Sequence, residues 1–230
     1  MLDHGALEAI LGVNFNDKSL LQQALVHRSY LNENPTWNSV SNERLEFLGD
    51  AVLGFVVADE LYSRFPDSAE GELTKLRAAL VRGETLSRIA LSLQLGDYLY
   101  LGHGEEESGG RSRPRNLSCA LEAVIGAVFL DRGFDVARRF ILKMLDDEFD
   151  RVGEDRFTDD YKSRLQQMIQ SERKTTPVYH TVEEIGPDHA KVFTVEVMAG
   201  DIVLGRGSGR SKRAAEMDAA RQALQDLAQG

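Results

Sequence analysis

The stretch Asn42-Glu43-Arg44-Leu45-Glu46-Phe47-Leu48-Gly49-Asp50 places three carboxylates on one side of a predicted helix. Glu43, Glu46 and Asp50 are spaced i, i+3 and i+7, which at about 100° per residue confines them to an arc of roughly 60°. They border a stripe of residues that favour burial: Leu45, Leu48, Val52 and Phe55. Acids of an amphipathic helix usually point to water, so acids beside the apolar stripe indicate a cation site. The simpler interpretation is a solvated acidic flank.

A second carboxylate lies in an apolar setting further along the chain. Residues 117–127, Leu-Ser-Cys-Ala-Leu-Glu-Ala-Val-Ile-Gly-Ala, form a predicted helix in which Glu122 has mostly apolar neighbours. A buried carboxylate is costly unless it is paired or bound to a metal ion. Glu122 is therefore either a salt-bridged core residue or part of a site that supplies hard oxygen ligands to a cation such as Mg²⁺.

The sequence NERLEFLGDAVL at residues 42–53 resembles the signature of the ribonuclease III family, whose members cut double-stranded RNA. The resemblance covers nearly the whole chain and implies a Mg²⁺-dependent hydrolase, with Mn²⁺ able to substitute. It implies 5′-phosphate and 3′-hydroxyl products with short 3′ overhangs, made from ribosomal RNA precursors and some messenger or transfer RNAs. The resemblance implies that Glu46 and Glu122 are metal ligands and catalytic residues. It implies that Asp50, also catalytic, either binds the metal or orients the attacking water. Glu43 and Glu70 would line the acidic valley, the groove around this metal site.

One position departs from the family pattern. Ribonuclease III enzymes usually have Asp three residues before the second metal-binding Glu, where this chain has Cys119. A neutral thiol is a soft and poor ligand for Mg²⁺, with an ordinary pKa of about 8.5. The alternative function is therefore a protein that binds duplex RNA and regulates it without cutting it. The remaining acids favour the enzyme.

Apolar periodicity divides the chain into an all-α domain and a smaller α+β domain. Before Val152 the spacing is helical, and turn signals such as Phe65-Pro66-Asp67 separate the segments. Residues 153–158 are charged and lack apolar periodicity, which predicts a linker. The expected division is an endonuclease domain at 1–152, the linker at 153–158 and a second domain at 159–230.

The second domain has a mixed pattern. It predicts a helix at 162–171, strands at 178–183, 192–198 and 202–204, and a helix at 213–228. This α-β-β-β-α order predicts an antiparallel three-stranded sheet packed on two helices. The domain resembles a double-stranded RNA-binding domain, which would disfavour a DNA nuclease.

Two groups of residues in this domain suit contacts with RNA. Ser163, Gln166 and Gln170 share a polar face of the first helix that matches 2′-hydroxyls and base edges in a wide minor groove. Basic residues gather near the start of the last helix, where the helix dipole adds to their attraction for phosphates: Arg210, Lys212 and Arg213. The resemblance adds His189, in the loop between the first two strands, as a contact with the adjacent minor groove.

The charge balance must be examined locally. The net charge of −10 over 230 residues argues by itself against a polyanionic partner. Residues 1–157 carry a balance of −9 and residues 158–230 a balance of −1, so the acidity belongs to the first part. A lone cysteine excludes an intramolecular disulfide, and no stretch predicts a membrane span or a signal peptide. We expect a cytoplasmic protein that acts on double-stranded RNA and on no small-molecule substrate.

Two glycines interrupt the helix that carries the three acids. Gly49 and Gly54 each cost roughly 1 kcal/mol relative to Ala in a helix interior, which the close approach of another backbone would offset. The resemblance implies a homodimer in which the signature helices of two subunits pack across a two-fold axis. A helix crossing within one subunit is the alternative explanation.

Overall fold

A computed structural model describes residues 4–37, 39–187 and 191–229. Contacts divide the chain into two compact units, Met1–Phe149 and Asp150–Gly230, and each is described by itself. Unit 1 is helical, with 3₁₀ turns at Leu95–Tyr98 and Gly110–Ser112. Its α-helices are α1 (His4–Leu11), α2 (Lys18–Ala24), α3 (Arg28–Glu33), α4 (Glu43–Arg64), α5 (Glu70–Val81), α6 (Gly83–Ser92), α7 (His103–Glu107), α8 (Pro114–Arg132) and α9 (Phe134–Met144).

Local chemistry sets the ends of these helices. Asp17 caps α2, because its carboxylate accepts a hydrogen bond from the backbone N–H of Ser19 at 2.9 Å. Helix α8 begins with Pro114, whose missing N–H is not needed in a first turn, and ends at Arg132, just before Gly133, which has a φ of 78°. The all-α character predicted for the first domain is confirmed.

Helices α4 and α8 cross at two glycines, and this crossing forms the centre of unit 1. A Cβ added to Gly49 would lie 1.7 Å from the carbonyl oxygen of Glu122, and one added to Gly126 would lie 2.3 Å from that of Leu45. No larger residue fits either position unless the helices separate. The crossing within one chain therefore accounts for Gly49. Around Gly54, by contrast, an added Cβ would meet no atom of the described residues within 4 Å other than its chain neighbours and the backbone of α4 itself.

The apolar stripe of α4 is only partly buried. Leu45 and Val52 are in the core, and Leu48 is half-buried. The sequence pattern also predicts burial of Phe55, which is wrong for the single chain because its side chain is 60% exposed. Phe47 and Tyr62 on the same helix are 80% and 75% exposed. Helix α4 thus presents large apolar side chains on a second face, away from α8.

Unit 2 has the predicted α-β-β-β-α order, which confirms the fold class. Helix α10 (Asp146–Arg173), which belongs to this unit from Asp150 onwards, is followed by β1 (Val178–Ile185), β2 (Val192–Ala199), β3 (Ile202–Gly209) and α11 (Lys212–Gln229). The sheet is antiparallel in the order β1-β2-β3. Its core joins side chains of α10, the sheet and α11, with the fully buried members Leu165, Ile169, Val195, Val197, Ala215, Ala219, Ala220 and Ala223.

Strand β3 extends five residues past the predicted end at Leu204, through alternating glycines. Gly205, Gly207 and Gly209 face α11, and a Cβ on Gly207 would lie 2.1 Å from the backbone nitrogen of Ala219. Glycine is a poor strand former, so local propensity does not indicate this part of the strand. The close packing of α11 on the sheet explains it instead.

In the structure, residues 153–158, the predicted linker, are part of helix α10. Contacts place the division between the units after Phe149, near the predicted end of the first domain at residue 152. The assignment of 153–158 to a linker stays a prediction. In the described part of the chain, no helix is both long and apolar enough to cross a membrane.

Candidate active site

A cavity of about 600 Å³ opens beside the crossing of α4 and α8. We call it the acidic cavity, because its wall carries the acids Glu43, Glu46, Asp50, Glu105 and Glu122, together with Cys119. Helix α4 supplies the first three acids and α8 supplies Cys119 and Glu122. The backbone carbonyl of Glu122 in α8 packs against Gly49 in α4. This helix contact therefore also brings the two groups of acids together.

Glu122 is the most perturbed of these acids. Burial first, and then the charges of Asp50 and Glu46, raise its pKa from 4.5 to about 7. A carboxyl with this pKa is partly protonated at neutral pH in the free protein. Like charges held together at a half-buried position are a mark of a functional site, and a divalent cation would relieve their repulsion.

Cys119 faces the same group of acids. Burial, a hydrogen bond with Glu46 and the charges of Glu46 and Glu122 raise the pKa of the thiol from 9.0 to about 12. The thiol is therefore protonated at neutral pH and donates to the Glu46 carboxylate. At this position, where the resemblance implies a carboxylate, the thiol supplies neither negative charge nor a hard oxygen.

The acids do not form a closed metal cage. Over residues 4–37, 39–187 and 191–229, no three Asp, Glu, His or Cys side chains are already placed to hold an ion. The donor set nevertheless fits Mg²⁺, because carboxylate oxygens from two helices face one polar cavity and repel one another. Glu46 and Glu122 are the residues that would hold such an ion, with Asp50 beside them.

Glu43 and Glu70 have different positions. Glu43 lines the acidic cavity, accepts a hydrogen bond from Ser41 Oγ at 2.9 Å and lies 3.9 Å from Arg28. Glu70 is exposed at the start of α5, accepts from Thr74 Oγ1 at 3.0 Å and is not part of the cavity wall of the single chain. Its place in an acidic valley stays a prediction.

The structure adds Glu105 to the site, which the sequence reasoning missed. Its carboxylate accepts from Asn116 Nδ2 at 2.8 Å and pairs with Arg113. The hydrogen bond from Asn116 is the main cause that lowers the pKa of Glu105, and the charge of Arg113 adds to it. In the sequence Glu105 is one of three consecutive acids before a glycine loop, a pattern typical of a solvated surface.

Cations lie next to the acids. Arg28, Arg113 and Arg115 line the acidic cavity together with His27. Arg113 is held by Glu105 and by Ser108, whose Oγ lies 3.0 Å from Nη2. A wall that combines carboxylates with fixed guanidinium groups suits a phosphodiester substrate, because guanidinium groups can bind phosphates and carboxylates can hold a divalent cation.

The predicted RNA-binding residues of unit 2 are at its surface. Ser163, Gln166 and Gln170 are exposed on α10, and the three basic residues Arg210, Lys212 and Arg213 are exposed at the start of α11. Lys212 Nζ also lies 3.0 Å from Glu184 Oε1, so an RNA phosphate would have to compete with this pair. His189 lies outside the described residues.

Comparisons with known proteins agree on one family. A family model described as Ribonuclease-III-like matches residues 17–148, and one described as Double-stranded RNA binding motif matches residues 161–227. A "Ribonuclease 3" of Dehalococcoides mccartyi (strain CBDB1) is 52% identical over 99% of this chain and 96% of that protein. The chain belongs to the ribonuclease III family. It is an endoribonuclease that acts on double-stranded RNA.

Two further relatives support this assignment. The "Ribonuclease 3" of Roseiflexus sp. (strain RS-1) is 50% identical over 97% of this chain and 95% of that protein. The crystal structure of the nuclease domain of ribonuclease III from Campylobacter jejuni matches with a TM-score of 0.59 and 46% identity, covering 65% of this chain and 97% of that one. A second structure of the Campylobacter domain, also at 0.59 and 46%, concerns structural flexibility in the region involved in its dimer formation.

Proposed function

We propose that the protein is a metal-dependent enzyme that cuts duplex RNA to 5′-phosphate and 3′-hydroxyl ends with short 3′ overhangs. The observation that carries this proposal is the group of acids from α4 and α8 in one cavity, where Glu122 has a pKa of about 7. Bound Mg²⁺, or Mn²⁺ in its place, would polarise the phosphodiester and lower the pKa of a water molecule. Glu46 and Glu122 would hold the ion, and Asp50 would bind it or orient the water.

The direct test is cleavage of a long RNA duplex by the purified full chain with Mg²⁺, with Mn²⁺ and with EDTA. We expect cleavage with either ion and none with EDTA. Product ends are identified by ligation: a 5′-phosphate permits ligation without prior kinase treatment. Cleavage in EDTA, or products with a 3′-phosphate, would contradict the proposed chemistry.

The alternative is a duplex-binding regulator that does not cut, and Cys119 is the observation that favours it. Its protonated thiol leaves the site one carboxylate short. The same assay decides between the two functions, because the regulator would shift the RNA in a gel and leave it intact at every Mg²⁺ concentration.

We further propose that unit 2 supplies most of the affinity for RNA, without strong sequence preference. The exposed polar face of α10 and the basic residues at the start of α11 support this role. The natural substrates proposed are structured precursors of ribosomal RNA and some messenger or transfer RNAs, cut in the cytoplasm. Comparison of precursor RNA in cells with and without the protein tests this assignment.

We also propose a homodimer through α4. Phe47, Phe55 and Tyr62 are exposed on this helix, Gly54 has open space around it, and the Phe55 ring lies 5.6 Å from that of Phe134. Large exposed apolar side chains grouped on one surface are typical of an interface. Sedimentation of the purified protein measures the assembly: a monomer at micromolar concentration would contradict it.

A further inference from the structure

His27 occupies a fixed position on the wall of the acidic cavity. Its backbone N–H donates to the carbonyl of Tyr100 at 3.1 Å. The carbonyl of the preceding Val26 accepts from the N–H of Asn42 at 2.9 Å, and Asn42 is the residue before α4. The segment is thus bound both to the helix that carries the acids and to the chain that leads to α7. The position of His27 relative to the acids of α4 is therefore set by backbone hydrogen bonds.

The hydrogen bonds of the ring decide which nitrogen carries the proton. The backbone N–H of Ser29 donates to His27 Nδ1 at 3.3 Å, and Ser29 Oγ lies 2.8 Å from the same nitrogen. Ser29 Oγ accepts from the N–H of Gly102 at 2.9 Å, so its own proton is directed at Nδ1. A backbone N–H can only donate, and Nδ1 must therefore be an acceptor. In the neutral ring the proton is on Nε2.

The surroundings keep this ring neutral and leave one donor available. Burial is the largest cause of a lowered pKa for His27, while charged neighbours of both signs oppose one another: Glu105 and Glu43 raise it, and Arg28 and Arg113 lower it. Among the described residues no hydrogen-bond partner of Nε2 exists, although Nδ1 is fully engaged. The ring, which lines the acidic cavity, therefore has a single N–H, on Nε2, that no described residue accepts.

We propose that His27 is a substrate-binding residue of the nuclease site, whose Nε2–H donates to a phosphate oxygen of the RNA strand lying in the acidic cavity. Arg28, Arg113 and Arg115 on the same wall favour the phosphate path over a base edge. This inference rests on the proposed function and adds a residue to it. The same side chain caps α3, because its Nδ1 accepts from the N–H of Ser29 in the first turn of that helix, and the proposal adds a contact of its other nitrogen with the substrate.

Two substitutions separate the cap from the donor. His27→Asn keeps an acceptor where Nδ1 is, since Asn is a favoured N-cap, and removes the N–H in the cavity. His27→Gln places an amide N–H near the position of Nε2 and makes a poor cap. Loss of one hydrogen bond to a charged phosphate lowers the rate about tenfold to a hundredfold. We expect His27→Asn to keep the wild-type Tm and to lose this factor in kcat/KM, while His27→Gln melts lower and retains more activity than His27→Asn.

A purely structural role predicts the opposite order, because activity would then follow stability and His27→Asn would match the wild type. That result overturns the proposal. If His27→Gln does not fold, His27→Asn alone decides, since its Tm shows whether the fold is intact. A hairpin RNA with one 2′-deoxy nucleotide at the scissile position tests the contacted oxygen. The ratio of wild-type to His27→Asn rates should stay the same, and a ratio that falls to one overturns the phosphate assignment.

A measurement without cleavage completes the test. In protein labelled with ¹⁵N-histidine, the long-range ¹H–¹⁵N correlation absent from His27→Asn identifies His27 and shows which nitrogen is protonated. We expect the Nε2–H form in EDTA, and a shift of its signal when a short RNA duplex is added. A protonated Nδ1, or a signal that RNA leaves unchanged, overturns the proposal. This readout needs no hydrolysis, so it remains decisive even if the wild type fails to cut RNA and the proposed function itself is wrong.

Discussion

Glu122→Gln tests whether burial, together with the charges of Asp50 and Glu46, makes the Glu122 carboxylate destabilising in the folded protein. The pKa of about 7 lies above the ordinary value of 4.5, so the folded protein binds the proton of Glu122 more tightly than the unfolded chain does. The resulting destabilisation is absent below about pH 4.5, develops as the pH rises towards 7, and is complete above 7. Glutamine has no charge and avoids it.

The magnitude follows from the same pKa. At about 1.36 kcal/mol per pKa unit, the difference between 4.5 and about 7 corresponds to about 3.4 kcal/mol. Glu122 is only half-buried, and solvent screening reduces this to about 2 kcal/mol. For a unit of this size, that free energy raises the Tm by roughly 4–8 °C. We expect this gain for Glu122→Gln at pH 8 in EDTA and little gain at pH 5.

Differential scanning calorimetry of the wild type and the variant at both pH values measures the effect. Glu107→Gln is the matched control, because this acid is exposed on α7, where its carboxylate lies 3.4 Å from Nε2 of the exposed His103. Mg²⁺ should raise the Tm of the wild type and narrow the difference. In the same variant, cleavage should be lost while duplex binding stays nearly intact. A Tm gain that is equal at pH 5 and pH 8, or no gain at all, would refute the electrostatic reasoning.

Three other expectations concern the RNA-binding domain, the metal and the dimer. Deletion of residues 159–230 should leave a folded nuclease that cuts poorly at physiological salt and better at low salt, and a salt profile equal to that of the full chain would contradict this. Cys119→Asp should lower the Mg²⁺ concentration needed for half-maximal cleavage, and Mn²⁺ should support wild-type cleavage at lower concentration than Mg²⁺. Mg²⁺ titrations of the wild type and Cys119→Asp that superimpose would show that position 119 does not act on the metal. Gly54→Leu, which meets open space in the single chain, should keep the helical circular-dichroism spectrum of the wild type and weaken the dimer in sedimentation, whereas Ala78→Leu on the exposed side of α5 should leave the dimer unchanged.

Periodicity predicted the elements of both units where apolar side chains determine them. The helix around Glu122 and strand β2 belong to this class, since Val195 and Val197 alternate towards the core. The second half of β3 could not be predicted in this way, because Gly205, Gly207 and Gly209 are there to admit α11 rather than to favour a strand. The role of Gly126 could not be predicted for a similar reason, because it depends on the close contact of α8 with α4.

Burial along α4 shows a different limit. The 3.6-residue period marks which positions are apolar, and it cannot tell the core of the chain from a surface that another molecule covers. Leu45 and Phe55 both lie on apolar positions of one helix, yet the first is 3% exposed and the second 60%. The two faces of α4 therefore have different roles. One packs against α8, and the other, which includes Gly54, is the surface that we propose binds a second chain.

In the acidic cavity, the residues on regular helices could be predicted from the sequence, and those that depend on irregular chain could not. Helical periodicity and the resemblance of the signature sequence to the ribonuclease III family were enough to predict the acids Glu43, Glu46, Asp50 and Glu122. Glu105 and His27 depend on the chain around Gly102, whose N–H reaches Ser29 Oγ at 2.9 Å. A Cβ at Gly102 would lie 2.7 Å from the carbonyl of Ser29, so this contact requires glycine. The helices thus position the acids that we propose hold a cation, while the contact at Gly102 orients the donor that we propose for the RNA phosphate.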